Sequence, residues 1–282
     1  MGISETEFDL FKNYIHDVCG IKIPEEKSYF IETRLSKLLA DSEVESFEAL
    51  YNKIIKNSDE NIKSKVIDAI TTNETLWFRD KKPWQLLEKC FLPKFVEVIR
   101  SKEKKKIRIW SAASSTGQEA YSTVMTISNF LEQRSIRGVS LNDFEILATD
   151  ISDNVIKIGK RGRYDPISIM RGMPQEYKGK YFSKAGNSWE IIEELKSLVR
   201  FERFNLKNSY HSLGKFDIIF CRYVLIYFSE ELKYQVIKNI SQSLDKDGIL
   251  FIGSSEIYQC LDEFFEKRKF EEGAYYVKRS DE

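Results

Sequence analysis

The 282 residues carry 44 basic and 44 acidic side chains, so no global field points toward nucleic acid or an anionic membrane surface. Hydrophobic residues make up 42%, enough for one large or two unequal domains, and no run of about 18 apolar residues is present to span a bilayer. Four scattered cysteines (Cys19, Cys90, Cys221, Cys260) and two isolated histidines (His16, His211) exclude a C-x-x-C motif, a His-rich metal site and an ordinary Ser-His-Asp hydrolase. The expectation is a cytoplasmic protein with reduced, buried thiols and no metal. MGISETEF is acidic and lacks a signal-peptide apolar region; MGISET fits the myristoylation pattern, which is short and matched by chance.

In chain order, residues 4–72 show apolar side chains at helical spacing: Phe8, Phe11 and Ile15, then Ile31, Leu35 and Leu38, then Leu50 and Ile54, then Val66, Ile67 and Ile70. Ser4 with Glu7 is a capping-box start, and Ser46 precedes another helical run. Residues 1–72 therefore read as an all-helical N-terminal domain. TTNETLWFRDKKPW (71–84) breaks the pattern, and Pro83 opens a helix to about Arg100, so 73–105 reads as a linker and helix.

From Lys106 the texture alternates. IRIW (107–110), FEILATD (144–150), FDIIFCR (216–222) and Gly248–Gly253 read as strands, with helices over 119–131, 152–160 and 229–244. Strands separated by helices imply a mostly parallel sheet covered on both faces. AYYVK (274–278) is a last strand, spaced from GILFIGSS so that an antiparallel pair is allowed. Residues 161–204 break the alternation with several aromatics and turn glycines, and read as a small, partly β insertion within 106–282.

The segment IRIWSAASSTGQE (107–119) carries the most chemistry. A strand stops at a run of small residues and a helix opens with Glu119 in its first turn, the arrangement by which open α/β sheets bind ligands at strand ends. It matches neither G-x-G-x-x-G nor G-x-x-x-x-G-K-[ST]. An acid at a helix start repels phosphate and favours a cation, so the ligand to look for is a nucleoside bearing positive charge. Asp150, at the end of the second strand, suits two ribose hydroxyls, or else caps the following helix. Asn205 and Leu206 follow a strand-like VRFERF; the asparagine is either a turn residue or a contact for a base edge, and the leucine could pack on the ring. In CRYVLIYF (221–228), Arg222 and Tyr227 are the polar exceptions in a core-like stretch. Asn73, Thr75 and Arg79 fall where an interdomain cleft could form.

Taken together, TTNETLWFRD, WSAASSTGQEAYS, ATDIS, RGRYDP, KYF, FNL, FDIIFCRYVLIYF, LDKDGILFIGSSE and the final YYVK resemble the CheR family of chemotaxis-receptor methyltransferases, over about residues 5–278. The resemblance implies an α/β fold: a Rossmann-like class I methyltransferase domain with an inserted small β-subdomain, preceded by an all-helical N-terminal domain. It implies S-adenosylmethionine as cofactor, S-adenosylhomocysteine as product, and the cytoplasmic domain of a chemoreceptor as partner, with no nucleic acid and no membrane insertion. Carried onto this chain, Asn73, Thr75, Arg79, Glu119, Asp150, Asn205, Leu206, Arg222 and Tyr223 are the implied cofactor contacts, and Arg79 and Tyr227 the implied catalytic pair. The implied reaction is formation of glutamate γ-methyl esters. The alternatives are a methyltransferase of the same fold acting on another protein or a small carboxylate, and a non-catalytic module that binds S-adenosylmethionine or S-adenosylhomocysteine. Three positions depart from the family pattern. Tyr223 stands where asparagine is usual, Gln118-Glu119-Ala120 where E-E-P is frequent, and Lys27, Arg34 and Lys37 on the second helix are diluted by Glu32 where a strongly basic helix is usual.

Overall fold

A computed structural model describes residues 2–56 and 60–279. Four helices come first: α1 (Glu5–Cys19), α2 (Ser28–Asp41), α3 (Phe47–Lys56) and α4 (Glu60–Ile70). The capping box at the start of α1 is complete: Glu7 N–H donates to Ser4 Oγ at 3.3 Å and Ser4 N–H to Glu7 Oε2 at 2.9 Å. Such caps satisfy amide donors that the helix itself cannot. Phe8, Phe11, Ile15, Ile31, Leu35 and Leu50 are buried among one another, the apolar face expected from their spacing.

After the linker, α5 (Lys82–Leu86), a π-helical turn (Leu87–Phe91) and α6 (Leu92–Arg100) follow one another, with Pro83 in the first turn. Next come β1 (Ile107–Ala112), α7 (Gln118–Gln133), β2 (Phe144–Asp150), α8 (Asp153–Arg161), β3 (Arg163–Tyr164), α9 (Pro166–Met170), α10 (Gln175–Tyr181), β4 (Phe182–Ala185), β5 (Ser188–Ile191), α11 (Glu193–Lys196), β6 (Val199–Arg203), β7 (Phe216–Cys221), α12 (Glu230–Ser243), β8 (Leu244–Phe251), α13 (Leu261–Phe264), β9 (Phe265–Phe270) and β10 (Gly273–Lys278). The large sheet has the order β6-β2-β1-β7-β8-β10-β9, parallel through β6, β2, β1, β7 and β8, with β10 antiparallel to both of its neighbours. The antiparallel pairing of AYYVK with the β8 segment is thus as the spacing allows. Buried residues on the two faces of this sheet form separate cores, as expected for a sheet covered on both sides.

Residues 161–204 divide differently from the sequence reading. Only β3, β5 and β4 form the small antiparallel sheet; β6 leaves it to become the edge of the large sheet, paired with β2 from Ile146↔Val199 to Asp150↔Arg203. The charged stretch after GILFIGSS also contains a strand, β9, whose residues after Phe265 are exposed. No helix among the described residues is long and apolar enough to cross a membrane.

Candidate active site

The chain runs from β1 outward to β2 and β6 on one side, then crosses to β7 and β8 on the other. This places a topological switch point between β1 and β7, where open α/β sheets hold ligands outside the carboxyl ends of their strands. One cleft opens there. It is lined by the loop after β1 (Ala113, Ser114, Ser115), Asp150 at the end of β2, Asn205 and Leu206 after β6, and Arg222, Tyr223, Val224, Tyr227 and Phe228 after β7. The linker (Thr71–Leu76, Arg79) and the segment joining α1 to α2 close the other side.

The loop after β1 is a tight structure. Ala113, Ser115 and Gly117 have left-handed φ values of 58°, 50° and 94°. Gly117 is required on two counts, since a Cβ there would lie 2.8 Å from Phe201 Cζ. Ser114 N–H donates to Thr149 O at 2.8 Å and Ser115 N–H to Asp150 Oδ2 at 2.9 Å, fastening this loop to the end of β2. Ser115 Oγ donates to Asn73 O at 2.8 Å, fastening it to the linker. The other Asp150 oxygen accepts Ser152 N–H at 3.0 Å. Ser152, not Asp150, caps α8, its Oγ accepting from Val155 N–H at 3.4 Å. Burial pushes the Asp150 carboxyl above the usual carboxylate range, against the backbone N–H groups of Ser152, Ser115 and Ile151, which favour its charge.

Glu119 and Arg222 meet at the bottom of the cleft. Arg222, with a 2% exposed side chain, donates to Glu119 Oε2 at 2.9 Å and to Asp80 Oδ2 at 2.6 Å, and its Nη2 also reaches Arg79 O at 2.8 Å. Glu119 Oε1 accepts from Ser111 Oγ at 2.8 Å. Burial works against the charge of Arg222, but the carboxylates of Glu119 and Asp80 outweigh it and hold the guanidinium protonated. For Asp80, burial is outweighed by the Tyr223 hydroxyl and by Arg222, so its carboxyl titrates below the usual range. Asp80 was not among the candidates from sequence; its only signal was its place beside Arg79 in the linker motif.

The remaining candidates fall around the same cleft. Asn73 Nδ2 donates to Thr71 Oγ1 at 3.2 Å, and Thr75 lines the wall. The linker is anchored from the insertion: Trp77 N–H donates to Arg171 O at 3.1 Å, its indole N–H to Ser168 O at 3.0 Å, and Glu74 pairs with Arg171. Arg79 lays its guanidinium over the Tyr223 ring, 3.5 Å from the centroid. Asn205 has both ends of its amide engaged, donating to Val18 O at 2.7 Å and accepting Lys207 N–H at 3.0 Å, so it ties α1 to the sheet. Leu206 is buried beside it. Tyr227 lines the cleft, and its hydroxyl has no hydrogen-bond partner among the described residues.

The α1–α2 segment is the largest part of the wall that the sequence did not single out. Ile21 bridges to Phe228, Lys22 N–H donates to Tyr227 O at 2.8 Å, and Ile23 and Pro24, with Phe30 of α2, line the cleft on this side. Two buried polar atoms of cleft residues, Ser114 Oγ and Arg222 Nε, have no partner among the described residues. Buried polar groups are ordinarily satisfied, and an exception at a cleft is where a ligand atom would be expected. No cluster of three or more His, Cys, Asp or Glu side chains among the described residues is arranged to hold a metal ion.

The strand order, the antiparallel β10 and the strand-end cleft define a Rossmann-like methyltransferase carrying an all-helical N-terminal domain. A model of the CheR methyltransferase SAM-binding domain matches residues 73–274, and one of the CheR methyltransferase all-alpha domain matches residues 6–71. Chemotaxis protein methyltransferase Cher2 of Pseudomonas putida is 38% identical over 98% of this chain and 99% of its own. The chemotaxis protein methyltransferase of Vibrio anguillarum is 39% identical over 97% of each chain, and that of Borreliella burgdorferi 33% identical over 91% of this chain and 89% of its own. The chain belongs to the CheR methyltransferase family and is an S-adenosylmethionine-dependent methyltransferase of chemotactic adaptation.

Proposed function

We propose that the chain methylates glutamate side chains in the cytoplasmic part of methyl-accepting chemoreceptors, giving γ-methyl esters, and works in the cytoplasm. The observation that carries this reading is the likeness to chemotaxis methyltransferases across both domains, over 98% of the chain in the case of Cher2. The cleft supports it. Asp150, held by two backbone N–H groups, keeps lone pairs for ribose hydroxyls. Glu119, bonded once at each oxygen, keeps lone pairs for the methionyl ammonium. Leu206 would border the adenine, with Asn205 behind it, and Asn73 and Thr75 would line the linker side. Arg222 acts mainly as the counter-charge to Glu119 and Asp80, with its Nε, unpartnered among the described residues, left for the cofactor. Tyr223 reaches the cofactor's surroundings through Asp80 and Arg79.

Bound in this cleft, S-adenosylmethionine supplies an electrophilic methyl group on a cationic sulfur. The residues of the chain then have little proton chemistry to do. A substrate glutamate with a pKa of about 4.3 is already a carboxylate near neutral pH, so no general base is required. Arg79 holds and orients that carboxylate, and the free Tyr227 hydroxyl donates a hydrogen bond near the reacting oxygen. The α1–α2 segment covers the cleft and keeps water out, which favours a reaction that neutralises opposite charges.

The test is transfer of tritiated methyl from S-adenosylmethionine to the organism's receptor fraction, with release of label by alkali, because esters hydrolyse there and N-methyl groups do not. Alkali-labile incorporation is expected, and Arg79→Ala should reduce it by about a hundredfold or more. Binding without turnover, or turnover that survives Arg79→Ala unchanged, would overturn the reading.

A further inference from the structure

Tyr223 occupies a left-handed backbone position, with φ 59°, that a ring-bearing residue rarely adopts. Buried Glu256 holds it there, one oxygen accepting Tyr223 N–H at 2.7 Å and Gly253 N–H at 2.6 Å, the other the Tyr258 hydroxyl at 2.6 Å. The phenol donates to Asp80 Oδ2 at 2.6 Å and lies 3.1 Å from Ser254 Oγ. Gly253 leaves room for the ring: a Cβ there would sit 2.7 Å from Tyr223 Cε1. The ring is thereby fixed at its backbone, its hydroxyl and its edge.

Arg79 rests on this ring. Its guanidinium carbon is 3.5 Å from the centroid, and its side chain's one hydrogen bond among the described residues is a long one, 3.4 Å from Nη1 to Glu74 O. The backbone around it is constrained too. Arg222 donates to the Arg79 carbonyl, and Phe78 and Asp80 on either side have left-handed φ values of 48° and 70°. A guanidinium stacked on an aromatic face keeps its in-plane N–H groups free, and those are the groups that grip a carboxylate. We propose that Tyr223 is a positioning residue: its ring, clamped by Glu256 and Asp80, is the platform that holds the Arg79 guanidinium flat with its N–H edge available to the substrate carboxylate. This rests on the reading of Arg79 as the substrate-facing cation.

The full-length chain tests this with two readouts. Tyr223→Ala should lower kcat for receptor methylation by about tenfold or more while the KM for S-adenosylmethionine stays within about threefold. Tyr223→Phe keeps the ring and should restore kcat to within about threefold of the parent. In proton–nitrogen spectra, the Arg79 Nε–H resonance, assigned by its loss in Arg79→Lys, should be shifted upfield by the ring in the parent and in Tyr223→Phe, and return to the ordinary arginine position in Tyr223→Ala. Should Tyr223→Ala fail to fold, Gly253→Ala pushes on both the ring edge and the Glu256 carboxylate that clamps it, and should reproduce the loss of kcat and move the Arg79 resonance. Parental kcat in the variant that removes or displaces the ring, equal losses in the Phe and Ala variants, or an unmoved Arg79 resonance would overturn the proposal. Absence of transfer by the parent chain would remove the methyl-transfer reading and this one together, whereas transfer by parent and Tyr223→Ala alike would remove only this one.

Discussion

Replacing Arg222 by methionine should cost more stability than any other single change at the cleft. The side chain is 2% exposed and gives hydrogen bonds of 2.9 Å to Glu119, 2.6 Å to Asp80 and 2.8 Å to the Arg79 carbonyl. Methionine fills much of the same space beside Trp84 but leaves two carboxylates near each other. Their remaining side-chain donors are neutral hydroxyls, Ser111 for Glu119 and Tyr223 for Asp80. Breaking a buried ion pair by removing one partner costs about 3–5 kcal/mol. The lower end, about 3 kcal/mol, applies here because the Asp80 side chain is 20% exposed and keeps its phenol. At about 2–4 °C per kcal/mol for a chain of this size, the melting temperature should fall by about 6–12 °C. The loss also has a pH signature. Asp80 titrates below its ordinary value in the parent, so it contributes stability above the unfolded pKa that disappears as pH falls through the folded one. Without Arg222 that contribution shrinks, and the gap between parent and variant should narrow in acid. Guanidinium chloride unfolding at several pH values measures both effects through the midpoint at constant slope. Adding Glu119→Gln to Arg222→Met should recover about 1–3 kcal/mol, because one of the two unpaired charges, and its repulsion of Asp80, is then gone. A loss under about 1 kcal/mol that does not vary with pH would refute the view that these charges hold one another.

Tyr227→Phe should lower kcat by about tenfold and leave S-adenosylhomocysteine affinity nearly unchanged, as read by calorimetry beside steady-state kinetics; equal loss of affinity would place the hydroxyl on the cofactor instead. Asp150→Asn should weaken S-adenosylhomocysteine binding by about tenfold, since an amide supplies one acceptor in place of two. The Asp150 carboxyl is raised by burial, so its relative stability is full below the unfolded pKa and lost as pH rises through the folded one. The parent should therefore lose ground against Asp150→Asn from acid to neutral pH, and a constant difference would contradict this. Asn205→Ala removes the bond to Val18 O and should destabilise the chain by about 1–2 kcal/mol in chemical unfolding; no change would mean that the helical domain is held by its other contacts alone.

What could be read from the sequence followed the reach of each interaction. The Ser4–Glu7 box and the Pro83 start are local and stand where their residues indicated, while β1, read as ending at Trp110, runs on through the small Ser111 and Ala112. β6 looked like a strand, but its partner is β2, some fifty residues earlier, so an isolated run could not show that it left the insertion for the large sheet. β9 was hidden for another reason: FEKRKF alternates no apolar face and is charged, as suits an exposed edge. Glu119, Arg222 and Tyr223 were each singled out as ligand contacts, but spacing gave no sign that Arg222 bonds Glu119, 103 positions away, or that Asp80 joins them. The α1–α2 wall was missed because its role depends on docking against the strand ends, and nothing in Ile21 or Lys22 announces that.

Once these pairings are placed, the cleft divides by charge. Its buried end holds Glu119 and Asp150 on the wall, with Asp80 behind them, against the single guanidinium of Arg222, a net negative surrounding. Its outer side presents Lys22, Lys27 and Arg79, while the one acid there among the described residues, Glu74, is paired with Arg171. A cofactor with a cationic amine and a cationic sulfur gains at the first, and an anionic side chain arriving from a partner gains at the second. The two halves meet at residues 79 and 80, where Arg79 faces outward on the Tyr223 ring and Asp80 inward on Arg222. The linker thus does more than join two domains: reversing the side chains of two adjacent residues would exchange the charges seen by cofactor and substrate. The backbone at this turn is left-handed at Phe78, Asp80 and Lys81, with φ values of 48°, 70° and 57°.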